Sequence, residues 1–375
     1  MTRYSNKRIR KRALIMAGGT GGHIFPALAV ARELQSRDWN IFWLGSRNGM
    51  EEDIIGKTDI PLNLINVVGL RGNGILGWFK APFLILKSVI ESMIIIKNIQ
   101  PNVVVGFGGF ASGPGGIASF LMRVKLMIHE QNAIAGMTNR YLSKVASKVY
   151  LGFPNAFGKV ENKKYKTVGN PIRAEIKDIK KVVKTKDKNN SKTINLLILG
   201  GSRGARAINQ RIPNLIRSMN DENLICVVHQ SGKGNFEETS EQYSDYQGSF
   251  EVIEFIENMQ ERLAWADVVI CRAGASTVAE IAAVGLAAIF IPFPYAVDDH
   301  QFFNGSWLAD KGAAEIIREN ELDSVDAIQK ISNLLSSTNK IEKLGNLAKE
   351  LAYLNAAEEI ANDCENLVIE KLRAA

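Results

Sequence analysis

Short apolar runs, each closed by glycines and followed by apolar residues at helical spacing, set the rhythm of the chain. The first is Ala13-Leu14-Ile15-Met16-Ala17; Gly18-Gly19-Thr20-Gly21-Gly22-His23 ends it, and Leu28, Val30, Ala31 and Leu34 follow. That order predicts a strand, a glycine loop and a helix. Residues 40–44 predict the next strand and 102–105 a later one, closed by the glycine-rich stretch 106–116. Strands alternating with helices give a parallel sheet covered on both faces, the α/β class.

The pattern then restarts. Residues 176–193 are rich in Lys and Asp, lack aromatic residues and read as a charged linker. Beyond them Asn195-Leu196-Leu197-Ile198-Leu199 predicts a strand, Gly200-Gly201-Ser202-Arg203-Gly204-Ala205 a loop and 207–216 a helix. Further strands are predicted at 225–228, 252–256, 267–271 and 288–291. The reading is two Rossmann-like, doubly wound halves facing each other, residues 1–175 and 194–345, with a C-terminal helix in 346–375.

Composition narrows the class. A chain of 375 residues exceeds one ordinary core, which agrees with two domains. No apolar run approaches the roughly 18 to 20 residues that cross a bilayer. The basic residues Lys7 to Arg12 imitate the start of a secretory signal, but the apolar stretch 13–17 is too short to complete it. Three widely spaced cysteines predict no disulfide framework, and the expected compartment is the cytoplasm. A net charge of +7 suits acidic partners: nucleic acid, anionic lipid or phosphorylated substrates. Without zinc-finger spacing or an aromatic-interleaved basic stretch, nucleic acid is set aside.

Glycine loops between strand and helix bring backbone N–H groups to the positive end of a helix, where phosphate binds; their bland alternative is a tight turn. Dinucleotide folds also place an acid at the end of the second strand, and neither 40–49 nor 224–235 contains one. NAD and FAD are therefore disfavoured and a sugar nucleotide favoured. In Cys271-Arg272-Ala273-Gly274-Ala275-Ser276-Thr277-Val278-Ala279-Glu280, Ser276 and Thr277 offer hydroxyls to a diphosphate and Glu280 an acceptor to ribose. Helix capping with a solvated carboxylate is the plainer reading. The four histidines His23, His129, His229 and His300 show no metal-ligand spacing.

Motifs spread over nearly the whole chain resemble those of the MurG family: GGTGGHIFPALAVA at 18–31, GLRGNG at 69–74, GFGGFASGPGG at 106–116, HEQNAIAGMTNR at 129–140, GNPIR at 169–173, GGSRGA at 200–205, HQSGKG at 229–234 and CRAGASTVAEIAA at 271–283. The resemblance implies a GT-B glycosyltransferase with an interdomain cleft. It implies inverting transfer of N-acetylglucosamine from UDP-N-acetylglucosamine to the C4 hydroxyl of the N-acetylmuramyl residue of lipid I, undecaprenyl-pyrophosphoryl-MurNAc-pentapeptide, giving lipid II. It puts the lipid acceptor on the N-terminal half and the UDP-sugar on the C-terminal half, and has the C-terminal helix of 346–375 pack back on the N-terminal domain. Carried over by motif, contacts to the UDP-sugar fall on Thr20, Gly21, Gly22, Asn132, Arg173, Ser202, Ile256, Ala275, Ser276, Thr277, Val278, Ala279, Glu280 and Gln301. The Ile256 position holds uracil through its backbone, Glu280 the ribose and Gln301 the sugar hydroxyls. Arg203, Ser276 and Ala279 depart from the family's usual residues without removing a group that the chemistry requires.

The reaction needs a base, for which His23 is the candidate and Glu130 the rival carboxylate. It needs stabilisation of the leaving diphosphate, which helix N-termini and Arg173 supply with no cofactor or metal. A lipid acceptor requires a membrane-facing surface. Ile75, Trp78, Phe79 and Lys80 are the predicted patch on an anionic membrane, while most of 83–96 reads as the core face of a crossover helix. The expected location is peripheral, at the cytoplasmic face of the bacterial inner membrane; the sequence leaves the oligomeric state open. Competing readings are a glycosyltransferase acting on diacylglycerol, a UDP-N-acetylglucosamine 2-epimerase, and a sugar-nucleotide binder or membrane adaptor without turnover.

Overall fold

The computed structural model describes residues 11–67, 74–179, 193–201, 204–219 and 225–373, with the side chains of 74–81 and 371–373 left aside. The described chain forms two compact units, one of residues 1–173 with 355–375, the other of residues 174–354.

The first unit runs β1 (Arg12–Met16), α1 (Gly21–Gln35), β2 (Asn40–Ser46), α2 (Met50–Ile55), β3 (Leu62–Ile65), α3 (Gly74–Ile99), β4 (Val103–Gly106), α4 (Ser112–Leu121), β5 (Lys125–Glu130), α5 (Met137–Leu142), β6 (Lys148–Leu151) and β7 (Tyr165–Thr167). Its strands pair in the order β3-β2-β1-β4-β5-β6-β7, each pair parallel. A strand covered on both faces has no polar side, which is why β1 is a continuous apolar run. Ala13 and Ile15 enter one core with α1, whereas Leu14 and Met16 enter the other with α3 and α4.

The second unit follows as α6 (Ala174–Lys177), β8 (Ile194–Leu199), α7 (Arg206–Arg217), β9 (Ile225–Gln230), α8 (Phe236–Glu241), β10 (Phe250–Ile253), α9 (Met259–Trp265), β11 (Val268–Cys271), α10 (Ala275–Val284), β12 (Ala287–Phe290), α11 (His300–Ala309), β13 (Glu315–Ile316), α12 (Val325–Leu335) and α13 (Thr338–Glu350). Its parallel sheet has the order β10-β9-β8-β11-β12-β13. The last helix, α14 (Ala356–Arg373), belongs to the first unit, where Ala356, Ile360, Ala361, Cys364 and Val368 enter the core beside α1. Residue 346, a boundary in the sequence reading, lies within α13. Most of the linker, 180–192, lies outside the described residues.

One expectation is corrected. The apolar residues of 83–96 are not mostly core: Phe83 is 77% exposed and Leu86, Ile90 and Ile94 about half exposed, whereas Ser88 and Ser92 are buried. The two serines bond within the fold, Ser88 Oγ to Asn66 O at 2.6 Å and Ser92 Oγ to Ser88 O at 2.8 Å. The packed face is made of these small residues together with Val89 and Ile96, which enter the core, while Phe83, Leu86, Ile90 and Ile94 lie outward; helical period alone cannot say which face packs.

Candidate active site

Open α/β sheets bind ligands beyond the carboxyl ends of their strands, where strand order reverses. In the first sheet that point lies between β1 and β4, and in the second between β8 and β11. Four of the glycine-rich or small-residue segments singled out in the sequence follow these four strands.

After β1 the chain reaches Gly19, whose φ of +85° is readily adopted only by glycine, and Thr20, which starts α1. The Thr20 side chain makes no capping bond; its Oγ1 lies 3.2 Å from His23 Nδ1. Thr20 and Gly22 are exposed, and Gly21 and His23 half-buried. The loop after β4 presses against this turn: a Cβ on Gly109 would collide with the Gly18 backbone, and one on Gly108 would lie 3.1 Å from His23 Cδ2 and 3.2 Å from Nε2. The imidazole thus lies against a loop that glycine alone makes thin enough. Phe25, one turn from Gly21, carries the Arg173 guanidinium 5.3 Å above its ring, which sets Arg173 beside the α1 N-terminus.

HEQNAIAGMTNR and GNPIR also meet. His129 Nε2 donates to Gly169 O at 2.9 Å, and Asn170 Nδ2 to Gln131 O at 3.0 Å. Glu130 is fully buried, and both its oxygens accept bonds: Oε1 from Asn132 N at 3.0 Å, Oε2 from Gly136 N at 3.0 Å and from Asn139 Nδ2 at 2.9 Å. Burial raises its carboxyl above the usual range although these bonds oppose it. Such geometry is that of a staple holding Asn132 and the α5 turn, and it weighs against Glu130 as the base.

In the second unit a Cβ on Gly204 would collide with Ser231 O, so the loop after β8 lies against HQSGKG. His229 of that motif is buried between Tyr243 OH (2.9 Å, at Nδ1) and Asn209 Oδ1 (3.1 Å, at Nε2). Ser202 lies outside the described residues. After β11, Gly274 starts α10; Ala275 and Val278 turn into the core, and Ser276, Thr277, Ala279 and Glu280 are half-exposed. Arg272 holds the neighbouring loop through Ile291 O and Pro292 O, both at 3.1 Å, and pairs with Glu319. On that loop Phe293 N donates to Gln301 Oε1 at 3.0 Å, fixing the Gln301 amide at the start of α11. Ile256, beyond β10, has its side chain buried. Among the described residues no group of three or more His, Cys, Asp and Glu could hold a metal ion.

One acid escaped the sequence reading. Glu51, on α2, is fully buried and accepts from Gly19 N at 3.0 Å, Ser46 N at 2.7 Å and Ser46 Oγ at 2.6 Å. A hint was legible in the glycines at 18, 45 and 49, each of which leaves room for this carboxylate.

Two doubly wound domains, each with loops at its sheet's switch point, form the GT-B class of glycosyltransferases. Residues 13–151 match the glycosyltransferase family 28 N-terminal domain and 195–364 the family 28 C-terminal domain. The chain belongs, within that class, to the MurG family, the UDP-N-acetylglucosamine:N-acetylmuramyl-(pentapeptide) pyrophosphoryl-undecaprenol N-acetylglucosamine transferases. The transferase of that name from Pseudoalteromonas atlantica is 43% identical over 372 residues, 96% of either chain. Its namesake from Haemophilus ducreyi is 44% identical over 354 residues, 94% of this chain and 97% of its own. The crystal structure of Acinetobacter baumannii MurG superposes with a TM-score of 0.79 at 35% identity, covering 95% of this chain and 99% of its own. A UDP-N-acetylglucosamine 2-epimerase shares the fold at a TM-score of 0.64 and 11% identity.

Proposed function

We propose that this protein transfers N-acetylglucosamine from UDP-N-acetylglucosamine, with inversion, to the C4 hydroxyl of the N-acetylmuramyl residue of lipid I, forming lipid II for peptidoglycan. The observation that carries the reading is His23, tied to Thr20 at the first sheet's switch point and seated against Gly108. The reading takes the tautomer in which Nδ1–H donates to Thr20 Oγ1, which makes Nε2 the basic nitrogen. The acceptor oxygen attacks the sugar's anomeric carbon, the bond to the β-phosphate oxygen breaks with its electrons leaving on UDP, and the hydroxyl proton passes to Nε2.

The growing diphosphate charge is met by the N–H groups opening α10 and by the Ser276 and Thr277 hydroxyls beside them. Following the resemblance, Thr20, Gly21, Gly22, Asn132, Arg173 and Ser202 add contacts to the UDP-sugar, the Ile256 backbone holds uracil, Glu280 the ribose and Gln301 the sugar hydroxyls. The reading asks for no metal or organic cofactor.

The acceptor's lipid places the enzyme on an anionic membrane surface, at the cytoplasmic face of the inner membrane. Among the described residues no helix is long and apolar enough to cross a membrane. Exposed Phe83, Leu86, Ile90 and Ile94 on α3 and Ile117, Phe120 and Leu121 on the neighbouring α4 support peripheral docking, with Lys87, Arg123 and Lys125 exposed nearby in sequence. The side chains of Ile75, Trp78, Phe79 and Lys80 lie outside the described set.

The decisive experiment offers radiolabelled UDP-N-acetylglucosamine with lipid I and, in competition, diacylglycerol. Product on lipid I alone is expected. His23→Ala should lower kcat by about 10²- to 10⁴-fold with UDP-sugar affinity near normal. Product on diacylglycerol, or a His23→Ala enzyme of unchanged kcat, would overturn the acceptor or the base assignment respectively.

A further inference from the structure

Glu51 is a charged group placed where a neutral one would pack at lower cost. Burying a carboxylate is expensive unless hydrogen bonds replace its water. Here the replacements are neutral donors: the Gly19 N–H and the Ser46 N–H and hydroxyl. Among the described residues no salt bridge includes Glu51. Three glycines on separate segments make its space: a Cβ on Gly18 after β1, on Gly45 in β2 or on Gly49 before α2 would collide with the side chain. With no exposed surface, the carboxylate does not reach a ribose, the task an acid near this place performs in dinucleotide folds. It faces inward, onto the Gly18–Gly19 peptide of the turn that leads into Thr20.

We infer that Glu51 is a positioning residue of the transfer site: by fixing Gly19 in its left-handed turn it sets where Thr20 and His23 stand at the N-terminus of α1. Gly19 has φ +85° and no neighbour within 4 Å of a Cβ built on it, so packing does not hold this residue's Cα side. The hydrogen bond from its N–H ties the turn to β2 and α2, elements fixed in the core through Trp43, Leu44 and Ile55. Burial would raise the Glu51 carboxyl, yet its hydrogen bonds outweigh that and hold it below the usual range, so it is ionised at neutral pH. A carboxylate close to the first turn of α1 also suits the helix dipole.

Glu51→Gln tests the inference, since an amide keeps the shape but has one oxygen to serve the Gly19 and Ser46 N–H groups. We expect kcat for transfer to lipid I to fall by about 100-fold, as displaced catalytic groups do. UDP affinity by calorimetry and the melting temperature should stay near wild type, and hydrogen exchange should quicken in the peptide covering 17–23. A kcat equal to wild type overturns the inference. Should Glu51→Gln not fold, Ser46→Ala decides, because it removes one hydroxyl donor and no charge: reduced kcat with intact UDP binding supports the role, and unchanged kcat overturns it. The inference rests on the proposed transfer and on His23 as base. A wild-type enzyme inert on lipid I would overturn both readings, whereas an active wild type with unaffected variants overturns this one alone.

Discussion

His129 and His229 sit one residue before the ends of β5 and β9, each fully buried and bonded at both ring nitrogens. Burial depresses them to about 4 and about 3 respectively, so both are neutral near pH 7. The unfolded chain binds protons near pH 6.5 that the folded state refuses until about 4 and about 3. Their contribution to stability is therefore complete above pH 6.5 and drains away below it, at up to about 1.4 kcal/mol per pH unit for each residue. Glu130 acts in the opposite sense, because its raised carboxyl is favoured as pH falls. The histidine share is best read in the second unit: His229→Gln should flatten the loss of melting temperature between pH 6.5 and 5. An unchanged slope would show that His229 does not carry it.

Among the elements, α14 has the clearest energetic consequence. Ile360, Ala361 and Cys364 are fully buried against α1 and the first sheet, and Tyr150 OH donates to Asp363 Oδ2 at 2.8 Å. Lys11–Glu365 at 2.9 Å, Lys148–Asp363 at 2.6 Å and Lys166–Glu359 at 2.8 Å line its edges. At roughly 1.5 to 3 kcal/mol for each large buried apolar side chain, this helix supplies several kcal/mol, a sizeable part of the stability of one domain. The surface ion pairs add little to that. Ending the chain after Leu354 should therefore loosen the first unit and spare the second. Hydrogen exchange would show β1 to β4 losing protection while β8 to β12 keep theirs; equal protection in the truncated chain would contradict this.

At the scale of the whole molecule the question is what the exposed apolar residues of α3 and α4 meet. Patches of this kind on soluble surfaces mark partners or membranes. The acceptor proposed above carries an undecaprenyl chain, so on that reading the expected partner of this face is a membrane. Replacing Phe83, Leu86 and Phe120 together by Ser should reduce sedimentation with vesicles containing anionic phospholipid and slow transfer to vesicle-borne lipid I, leaving UDP affinity unchanged. Vesicle binding equal to wild type would rule this face out.

The sequence by itself determined the class. Continuous apolar runs ending in glycines require strands buried on both faces, and glycine loops at strand ends place phosphate chemistry there, so two Rossmann-like halves and the loops at 18–23, 106–116, 200–205 and 271–280 were legible. Strands β3, β5, β6, β7 and β13 were not read from it: β3, β7 and β13 are a few half-exposed residues with no period of their own, and β5 and β6 are short runs with no glycine-rich loop to close them. Tertiary structure alone decided the rest. Glu51 and Glu130 look alike in sequence, yet one braces the glycine turn before Thr20 and the other staples the α5 loop. The outward face of α3 was likewise settled by packing, and so was the return of α14 to the first unit, which the family resemblance implied but residue spacing did not show. A period fixes which residues share a face; only the neighbours that fold against it decide which face is buried and which side chain meets which loop.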